Sequence, residues 1–240
     1  MKSLNIVHLF PDLLNLYGDY GNIVVLKKRA ELRGINANII NISINDDIPF
    51  SDADIILLGG GNDNTQLIAN EKLLKLKNEF HAYRDDYGTM LAVCGGFPLL
   101  GHYLYLNGTK TEGLSLCDLQ TEENKKRLTG NIAIQTQNGV AVGFENHSGR
   151  TFLGENATPF GNVIRGFGNN GEDKTEGVLY KNITGTYLHG PLLPKNPEIA
   201  DDILKKALER KYNENMELEP LNDIISEYAK SYILDITKGK

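Results

Sequence analysis

The chain has few cysteines, only Cys94 and Cys117 among its 240 residues. Two thiols cannot make the disulfide framework of a small secreted domain, and no amino-terminal signal pattern precedes the first strand-like segment. Neither cysteine has a second cysteine or a histidine at the spacing of metal ligands, so a metal site is weakly supported. We therefore expect a protein of a reducing, cytoplasmic compartment without a metal in its site.

Long apolar runs and clusters of positive charge are also missing. No apolar run approaches the roughly 20 residues that a helix needs to cross a bilayer, so no transmembrane segment is expected. The formal net charge is −6, with acids and bases interspersed. This pattern offers no basic stripe to neutralise phosphates, which argues against nucleic acid as a partner.

The first half of the chain alternates apolar runs with amphipathic segments. The apolar runs predict strands and the periodic segments predict helices, at the spacing of parallel strands joined by right-handed crossovers. The predicted strands span residues 5–10, 37–44, 54–58 and 90–93, and the predicted helices span residues 23–33 and 66–83. We therefore predict an α/β fold whose mostly parallel central sheet is flanked by helices.

The second half is less regular but contains no convincing linker or repeat. Paired strands are predicted at residues 131–136 and 140–144, two more strands at 177–180 and 183–188, and a surface loop at 166–171. Amphipathic periodicity predicts two closing helices within residues 197–238. The length suits one large α/β domain, so we expect residues 1–240 to form a single domain.

The most informative segment is an apolar strand that ends at Val93 and runs into Cys94, Gly95 and Gly96. Two residues without side chains allow a sharp strand-to-helix turn, which would leave the thiol at the sheet edge where open α/β sheets bind ligands. The nucleophile elbow of α/β-hydrolases works in the same way, and the amide after the nucleophile can donate to an oxyanion. A buried structural cysteine explains the segment equally well.

A thiol nucleophile needs a base, and five histidines are available. His189 ends a predicted strand, where Gly190 and Pro191 turn the chain away, so it would stand on the same sheet edge as Cys94. His147 is the rival candidate. A strand-end histidine is often structural, so the residues alone leave the choice open. The remaining three fit structural roles better: His8 in the first strand, His81 on a charged helix and His102 in the helix after the elbow.

A glycine run, Gly59 to Gly61, follows the predicted strand at residues 54–58. Its exposed amides and close backbone approach could complete an oxyanion hole together with the Gly95 N–H. An ordinary loop or a phosphate-binding nest would use the same residues. A P-loop is excluded, because no Gly-Lys-Ser/Thr sequence follows.

The combination of a glycine loop, a Cys-Gly-Gly elbow and a distant strand-end histidine has the layout of class I glutamine amidotransferases. Particular words of the chain resemble the cobyric-acid-synthase-like branch of that family: LNLYGDYGNI at 14–23, GGG at 59–61, CGGF at 94–97, RLTG at 127–130, GFENH at 143–147 and YLHGP at 187–191. The resemblance covers residues 4–210, and GFENH and LHGP are its most specific words.

The resemblance implies hydrolysis of L-glutamine to glutamate and ammonia by a glutaminase. Cys94 would be the nucleophile that forms a glutamyl thioester, and His189 would be the base that takes the thiol proton and returns one to the departing ammonia. Gly60 or Gly61, together with Gly95, would bind the oxyanion.

Arg127 is the first residue of the family's Arg-Leu-x-Gly motif. The resemblance implies that its charge helps to hold the carboxylate of the bound glutamine. Arg127 also ends a charged run at residues 122–127. Without the resemblance, we would interpret it as part of a solvated face.

Two positions depart from the family pattern. Class I enzymes usually carry a glutamate two residues after the catalytic histidine, and here that position is Pro191. We expect an acid of a partner subunit, or else Glu145 or Asp19 of this chain, to orient the imidazole. Pro98 stands where the elbow helix usually has a glutamine; it suits the first turn of a helix but removes a polar group near the substrate.

Ammonia released into open water would be protonated and lost, so the resemblance implies coupling to a synthetase. The implied partner is a Mur-ligase-like subunit (MurT), in a heterodimer, which uses ATP and magnesium to amidate the D-glutamate of lipid II to D-isoglutamine in peptidoglycan synthesis. No cofactor is expected in this chain. The complex would be cytoplasmic and would work at the inner face of the membrane.

Two other functions fit the same residues. One is a corrinoid amidotransferase of the cobyric-acid type, which needs an ATP-dependent half. The other is a DJ-1-like cysteine hydrolase or sensor, although that class usually places a histidine directly after the nucleophile, where this chain has Gly95. A domain that binds without catalysis is also compatible with Pro98 and Pro191.

Overall fold

The computed structural model describes residues 2–237 and forms twelve strands and five α-helices from them. The strands are β1 (Ser3–Leu9), β2 (Asn36–Ile42), β3 (Ile55–Leu58), β4 (Thr89–Val93), β5 (Tyr103–Leu106), β6 (Thr109–Glu112), β7 (Leu119–Thr136), β8 (Gly139–Leu153), β9 (Gly161–Arg165), β10 (Thr175–Glu176), β11 (Val178–Tyr180) and β12 (Ile183–Thr186). The helices are α1 (Tyr20–Glu31), α2 (Asp63–Lys75), α3 (Lys77–Asp85), α4 (Pro197–Tyr212) and α5 (Ile224–Thr237). The predicted helix end at residue 238 lies outside the described residues.

Six strands form the central sheet in the order β11-β12-β4-β3-β1-β2. The four pairs from β12 to β2 are parallel, and the edge strand β11 is antiparallel to β12. Every residue of β3 and β4 is buried, because helices cover both faces of a parallel sheet. The predicted α/β fold with a mostly parallel sheet is confirmed.

Alternate residues of the central strands enter two separate cores, since successive side chains of a strand point to opposite faces. Leu57 shares one core with Leu26 of α1 and Ile203 of α4. Its neighbour Leu58 shares the other core with Leu73 of α2. Along the described part of the chain, no helix combines the length and apolar character that a bilayer-spanning segment needs.

A second sheet runs in the order β10-β9-β7-β5-β6, with β8 paired to β7. β7 and β8 make a long antiparallel hairpin whose register shifts between Glu123 and Leu128. The sequence predicted only the part of this hairpin nearest its turn, residues 131–136 and 140–144. The rest was missed because the charged run at residues 122–127 lacks the apolar alternation of a half-buried strand.

The chain after β4 does not form the predicted helix. Cys94–Gly96 and Pro98–Leu100 are two 3-10 turns, and Gly101 then becomes extended, with ψ of −176°. A Cβ on Gly101 would stand 2.3 Å from a methyl carbon of Leu119, so the chain passes close against β7 at this point. His102, predicted to lie in a helix after the elbow, therefore leads into β5.

Two further expectations change. The single helix predicted at residues 66–83 is interrupted at Leu76, which separates α2 from α3. The segment at residues 166–171 lacks regular structure, but it is not wholly on the surface. Asn169 and Asn170 are buried there, because their side-chain amides donate to backbone carbonyls of Gly177 and Thr151.

Candidate active site

Cys94 follows β4 directly, at the carboxyl end of the central sheet. Its φ is 52°, in the left-handed region that residues with a Cβ rarely adopt. Its glycine neighbours make room for this turn: a Cβ on Gly96 would lie 2.7 Å from the carbonyl oxygen of Leu58, and one on Gly60 would lie 2.9 Å from Cβ of Cys94. A strained residue between a strand and a turn is the geometry of a nucleophile elbow.

His189 reaches the same edge from the neighbouring strand. β12 runs parallel to β4 and pairs Thr186 with Val93, so Cys94 and His189 leave adjacent strands on the same side. His189 then forms a backbone bridge with Phe144 of β8, with N···O distances of 3.0 and 3.1 Å. Its side chain is fully buried, and neither ring nitrogen has a hydrogen-bond partner among residues 2–237.

His147, the rival base, is held in the wall of the cavity beside Cys94. Its ring stacks on Tyr187, with 3.6 Å between centroids and 2° between planes. Its Nδ1 donates to the carbonyl oxygen of Gly149 at 2.8 Å. The Nε2 of His147 has no hydrogen-bond partner among the described residues, as is true of both nitrogens of His189, so hydrogen bonding does not distinguish the two histidines. The position of His189 after the strand beside Cys94 is what favours His189 as the base.

The two predicted oxyanion glycines of the loop are not equivalent. The Gly60 N–H donates to Oδ2 of Asp19 at 2.7 Å, so it is already used. The nitrogen of Gly61 lies 3.1 Å from the position that a Cβ on Gly95 would take, and both glycines line the cavity with Cys94. Of the two loop glycines, the structure therefore favours Gly61, which lies beside Gly95, whose N–H is hydrogen-bonded to the sulfur of Cys94.

Arg127 lies on β7 and lines the cavity that contains Cys94. Its Nε donates to Oδ1 of Asn146 at 2.7 Å, and Nη2 donates to the carbonyl oxygen of the same residue at 2.5 Å. These two bonds fix the direction of the guanidinium and leave further N–H groups for a ligand. Asn146 was not predicted as part of the site, and its place in the GFENH motif is the signal for it in the sequence.

Tyr17 is a second residue of the site that was not predicted from the sequence. It lies in the 3-10 turn Leu16–Gly18 with φ of 61°, and its ring stacks on His189 with centroids 4.5 Å apart. Its hydroxyl accepts a hydrogen bond from Nδ2 of Asn146 at 2.8 Å. Tyr17 therefore covers the imidazole and links the turn before α1 to β8.

The cavity beside these residues has a volume of about 280 Å³. Pro98 lines it. Gln66 of α2 also lines it and supplies an amide, which donates to the carbonyl oxygen of Gly61 at 2.9 Å. Gln66 was not predicted as part of the site.

The surroundings of Cys94 keep its thiol protonated. Burial, followed by the charge of Asp19, raises the pKa of Cys94 to about 12, against the opposing effects of the Gly95 N–H and Arg127. Burial and nearby positive groups lower the pKa of His189 to about 4. At neutral pH the imidazole is therefore neutral and able to accept a proton.

Neither Glu145 nor Asp19 orients the imidazole of His189. Glu145 accepts two backbone N–H groups of the loop after β9, at 2.8 and 2.9 Å. Asp19 accepts a hydrogen bond from the glycine loop. Pro191, two residues after His189, packs against Gly21, where an added Cβ would lie 2.6 Å from Cγ of the proline. No carboxylate between residues 2 and 237 is hydrogen-bonded to the imidazole.

The fold and the site together define a class, α/β proteins that carry a candidate thiol nucleophile on an elbow and a histidine on the adjacent strand. Residues 5–197 match the family model of the CobB/CobQ-like glutamine amidotransferase domain, and the chain belongs to this family. The family resemblance found in the sequence motifs is confirmed.

Curated relatives extend over nearly the whole chain. Subunit GatD of lipid II isoglutaminyl synthase (glutamine-hydrolyzing) from Staphylococcus aureus is 46% identical over 213 residues, covering 88% of this chain and 87% of the relative. The protein of the same name from Streptococcus pneumoniae is 41% identical over 235 residues, covering 96% and 90%. A cobyric acid synthase from Listeria monocytogenes is 32% identical over 151 residues, which cover 59% of this chain and 29% of that relative.

A solved structure described as a glutamine amidotransferase has the same fold. It superposes with a TM-score of 0.57 at 14% identity, covering 84% of this chain and 98% of the other.

Proposed function

We propose that this chain is the glutaminase subunit of a lipid II isoglutaminyl synthase, which hydrolyses L-glutamine and passes the ammonia to an amidating partner. The observation that carries the proposal is the strained elbow at Cys94, placed on the strand beside His189 in a chain 46% identical to a subunit of that name. Membership of the amidotransferase family weighs against the DJ-1-like alternative.

The reaction begins when the sulfur of Cys94 attacks the side-chain amide carbon of glutamine, while His189 takes the thiol proton. The N–H groups of Gly61 and Gly95 stabilise the negative charge that forms on the amide oxygen. The C–N bond then breaks, and His189 returns the proton to the departing nitrogen, which leaves ammonia and a glutamyl thioester. Water hydrolyses the thioester, with His189 taking a proton from water and returning it to sulfur, and glutamate is released.

Arg127 recognises the α-carboxylate of the substrate in this proposal. Its two bonds to Asn146 occupy one edge of the guanidinium, and the remaining N–H groups suit a carboxylate in the cavity. Because these contacts are distant from the breaking C–N bond along the substrate, they contribute to binding more than to the chemical step.

The proposed partner is a Mur-ligase-like synthetase subunit (MurT) in a heterodimer. ATP and Mg²⁺ act in that subunit, and this chain uses no cofactor. The names of the two relatives describe subunits, which supports a complex. We propose that the partner also supplies the carboxylate that orients His189, because a negative charge at the imidazole would raise its low pKa and make it a stronger base.

The complex would amidate the α-carboxyl of D-glutamate in lipid II to give D-isoglutamine during peptidoglycan synthesis. Since this substrate is lipid-linked, the complex would act from the cytoplasm at the inner face of the membrane. This chain would reach the membrane as a peripheral component of the complex.

Glutamate release from L-glutamine tests the proposal, measured for the wild type and Cys94→Ala with and without the purified synthetase subunit. We expect release by the wild type to increase at least tenfold with the partner, and release by the variant to fall at least about 1,000-fold. No release by the wild type under either condition would refute the glutaminase function. Amidation of a corrinoid acid, with lipid II left unchanged, would support the cobyric-acid-type alternative.

A further inference from the structure

Four exposed apolar side chains form a strip that leads from the candidate site onto α1. Leu16 and Tyr17, in the turn before the helix, are 43% and 45% exposed, and Tyr20 and Val24 are 41% and 48% exposed. Tyr20 and Val24 are four residues apart and so lie on one face of the helix, which the exposed Lys28 continues. We call Leu16, Tyr17, Tyr20 and Val24 the α1 strip.

The α1 strip contacts residues of the candidate site. Tyr17 stacks on His189, and the Leu16 N–H donates to the carbonyl oxygen of Gly60 at 2.9 Å. Leu16 and Tyr17 also line the cavity that contains Cys94. A protein bound to the strip would therefore contact Tyr17, which stacks on the imidazole of His189, and Leu16, which is hydrogen-bonded to the glycine loop.

We propose that the α1 strip is the surface on which the synthetase subunit docks, an inference that rests on the proposed function. His189 lacks an orienting carboxylate among the described residues, and Tyr17 lies directly on its ring. Because Tyr17 lies on the imidazole and is itself part of the strip, a subunit that brings an acid to His189 from this side would contact the strip.

Charge complementarity supports the same occupant. Besides burial, the neighbouring groups His147, Lys195 and Arg127 lower the pKa of His189, and Lys28 lies at the far end of the strip. An apolar patch between positive groups fits a partner face with an apolar centre and flanking acids. One of those acids would meet His189.

A second exposed apolar surface provides a matched control. On α5, Ile224, Ile225, Tyr228 and Tyr232 are 67%, 86%, 74% and 58% exposed. None of these four lines the cavity beside Cys94. The two surfaces are alike in composition, but the structure links only the α1 strip to the candidate site.

The experiment compares two double variants, Tyr20→Ser with Val24→Ser and Ile225→Ser with Tyr228→Ser. Calorimetric titration gives the Kd for the purified synthetase subunit, and glutamate release gives the partner concentration at half-maximal stimulation. We expect the α1 pair to weaken both at least about 30-fold and the α5 pair to change them less than about threefold. The basal activity of each free variant should match the wild type, and circular dichroism should show that each is folded.

A conservative pair, Tyr20→Phe with Val24→Ile, keeps the apolar surface and should bind like the wild type. Wild-type binding by the Ser pair on α1, or loss of binding by the α5 pair alone, would overturn the docking proposal while the heterodimer stands. If the wild-type chain itself does not bind the synthetase subunit, the heterodimer of the proposed function is refuted, and the docking surface with it.

Discussion

Asp19 carries a large electrostatic cost inside the candidate site. Its side chain is fully buried, Oδ2 accepts one bond from Gly60, and Oδ1 has no partner among the described residues. Burial raises the pKa of Asp19 from 3.8 to about 7, against a lowering by the Gly60 N–H. The folded protein therefore holds a proton that the unfolded chain releases, so stability falls as the pH rises from about 4 through 7.

The size of this effect follows from the two pKa values. Ionisation of Asp19 costs about 2 kcal/mol of folding free energy at pH 5 and about 4 kcal/mol at pH 8. Asparagine at this position keeps an acceptor for the Gly60 N–H and does not ionise. Its unpaired amide costs about 1–3 kcal/mol at every pH. Relative to the wild type, Asp19→Asn should therefore gain about 2–3 kcal/mol between pH 5 and pH 8.

Urea unfolding of both proteins at pH 5, 6, 7 and 8 measures the difference in the free energy of unfolding. Ionisations that the two proteins share cancel in this difference. The reactivity of Cys94 gives a second measurement: because the charge of Asp19 raises the pKa of that thiol, the variant should be alkylated faster by iodoacetamide at pH 8. A difference in stability that stays constant with pH would refute the reasoning.

Substitutions at two further positions test the hydrogen bonds that hold the segment before His189 and the binding of glutamine. Glu176→Ala should lower the free energy of unfolding by about 2–4 kcal/mol, because the buried carboxyl group of Glu176 accepts from the Tyr187 N–H and bonds to the hydroxyl of Thr186. Burial raises the pKa of Glu176 to about 8, so the group is mostly neutral at pH 7. Glu176→Gln should therefore lose less, and urea unfolding ranks the three proteins. Arg127→Met should raise KM for glutamine at least about tenfold and change kcat less, since a carboxylate contact is made equally in ground and transition states. A fall in kcat at constant KM in steady-state assays would contradict that role.

The centre of the sheet could be predicted because β3 and β4 are short, largely apolar runs, followed by Gly59 and by Cys94 and Gly95. β3 and β4 are buried on both faces, so burial and composition agree along their whole length. The β7–β8 hairpin could not be predicted in full, since most side chains of residues 122–127 are exposed and only Glu122 and Glu123 among them pair with β8 before the register shifts. A segment of this kind leaves no hydrophobic pattern in the sequence.

The residues of the candidate site also divide into those that the sequence could place and those that it could not. Cys94 and His189 could be placed at one edge from the chain alone, because each follows an apolar strand and neighbouring parallel strands end together. Tyr17 could not, since its position on the imidazole depends on how a 3-10 turn folds back over the sheet. The choice between Gly60 and Gly61 depends on which way each peptide N–H points, and two adjacent glycines give no signal of that direction.

The proton affinities at the site explain why the proposed enzyme would depend on a second subunit. Because burial raises the pKa of Cys94 and lowers the pKa of His189, moving the proton from sulfur to imidazole costs free energy in the free chain. A carboxylate at the free ring nitrogen of His189 would stabilise the imidazolium and lower this cost directly. Because that carboxylate would arrive only with the synthetase, glutamine would be hydrolysed mainly when an acceptor for the ammonia is in place.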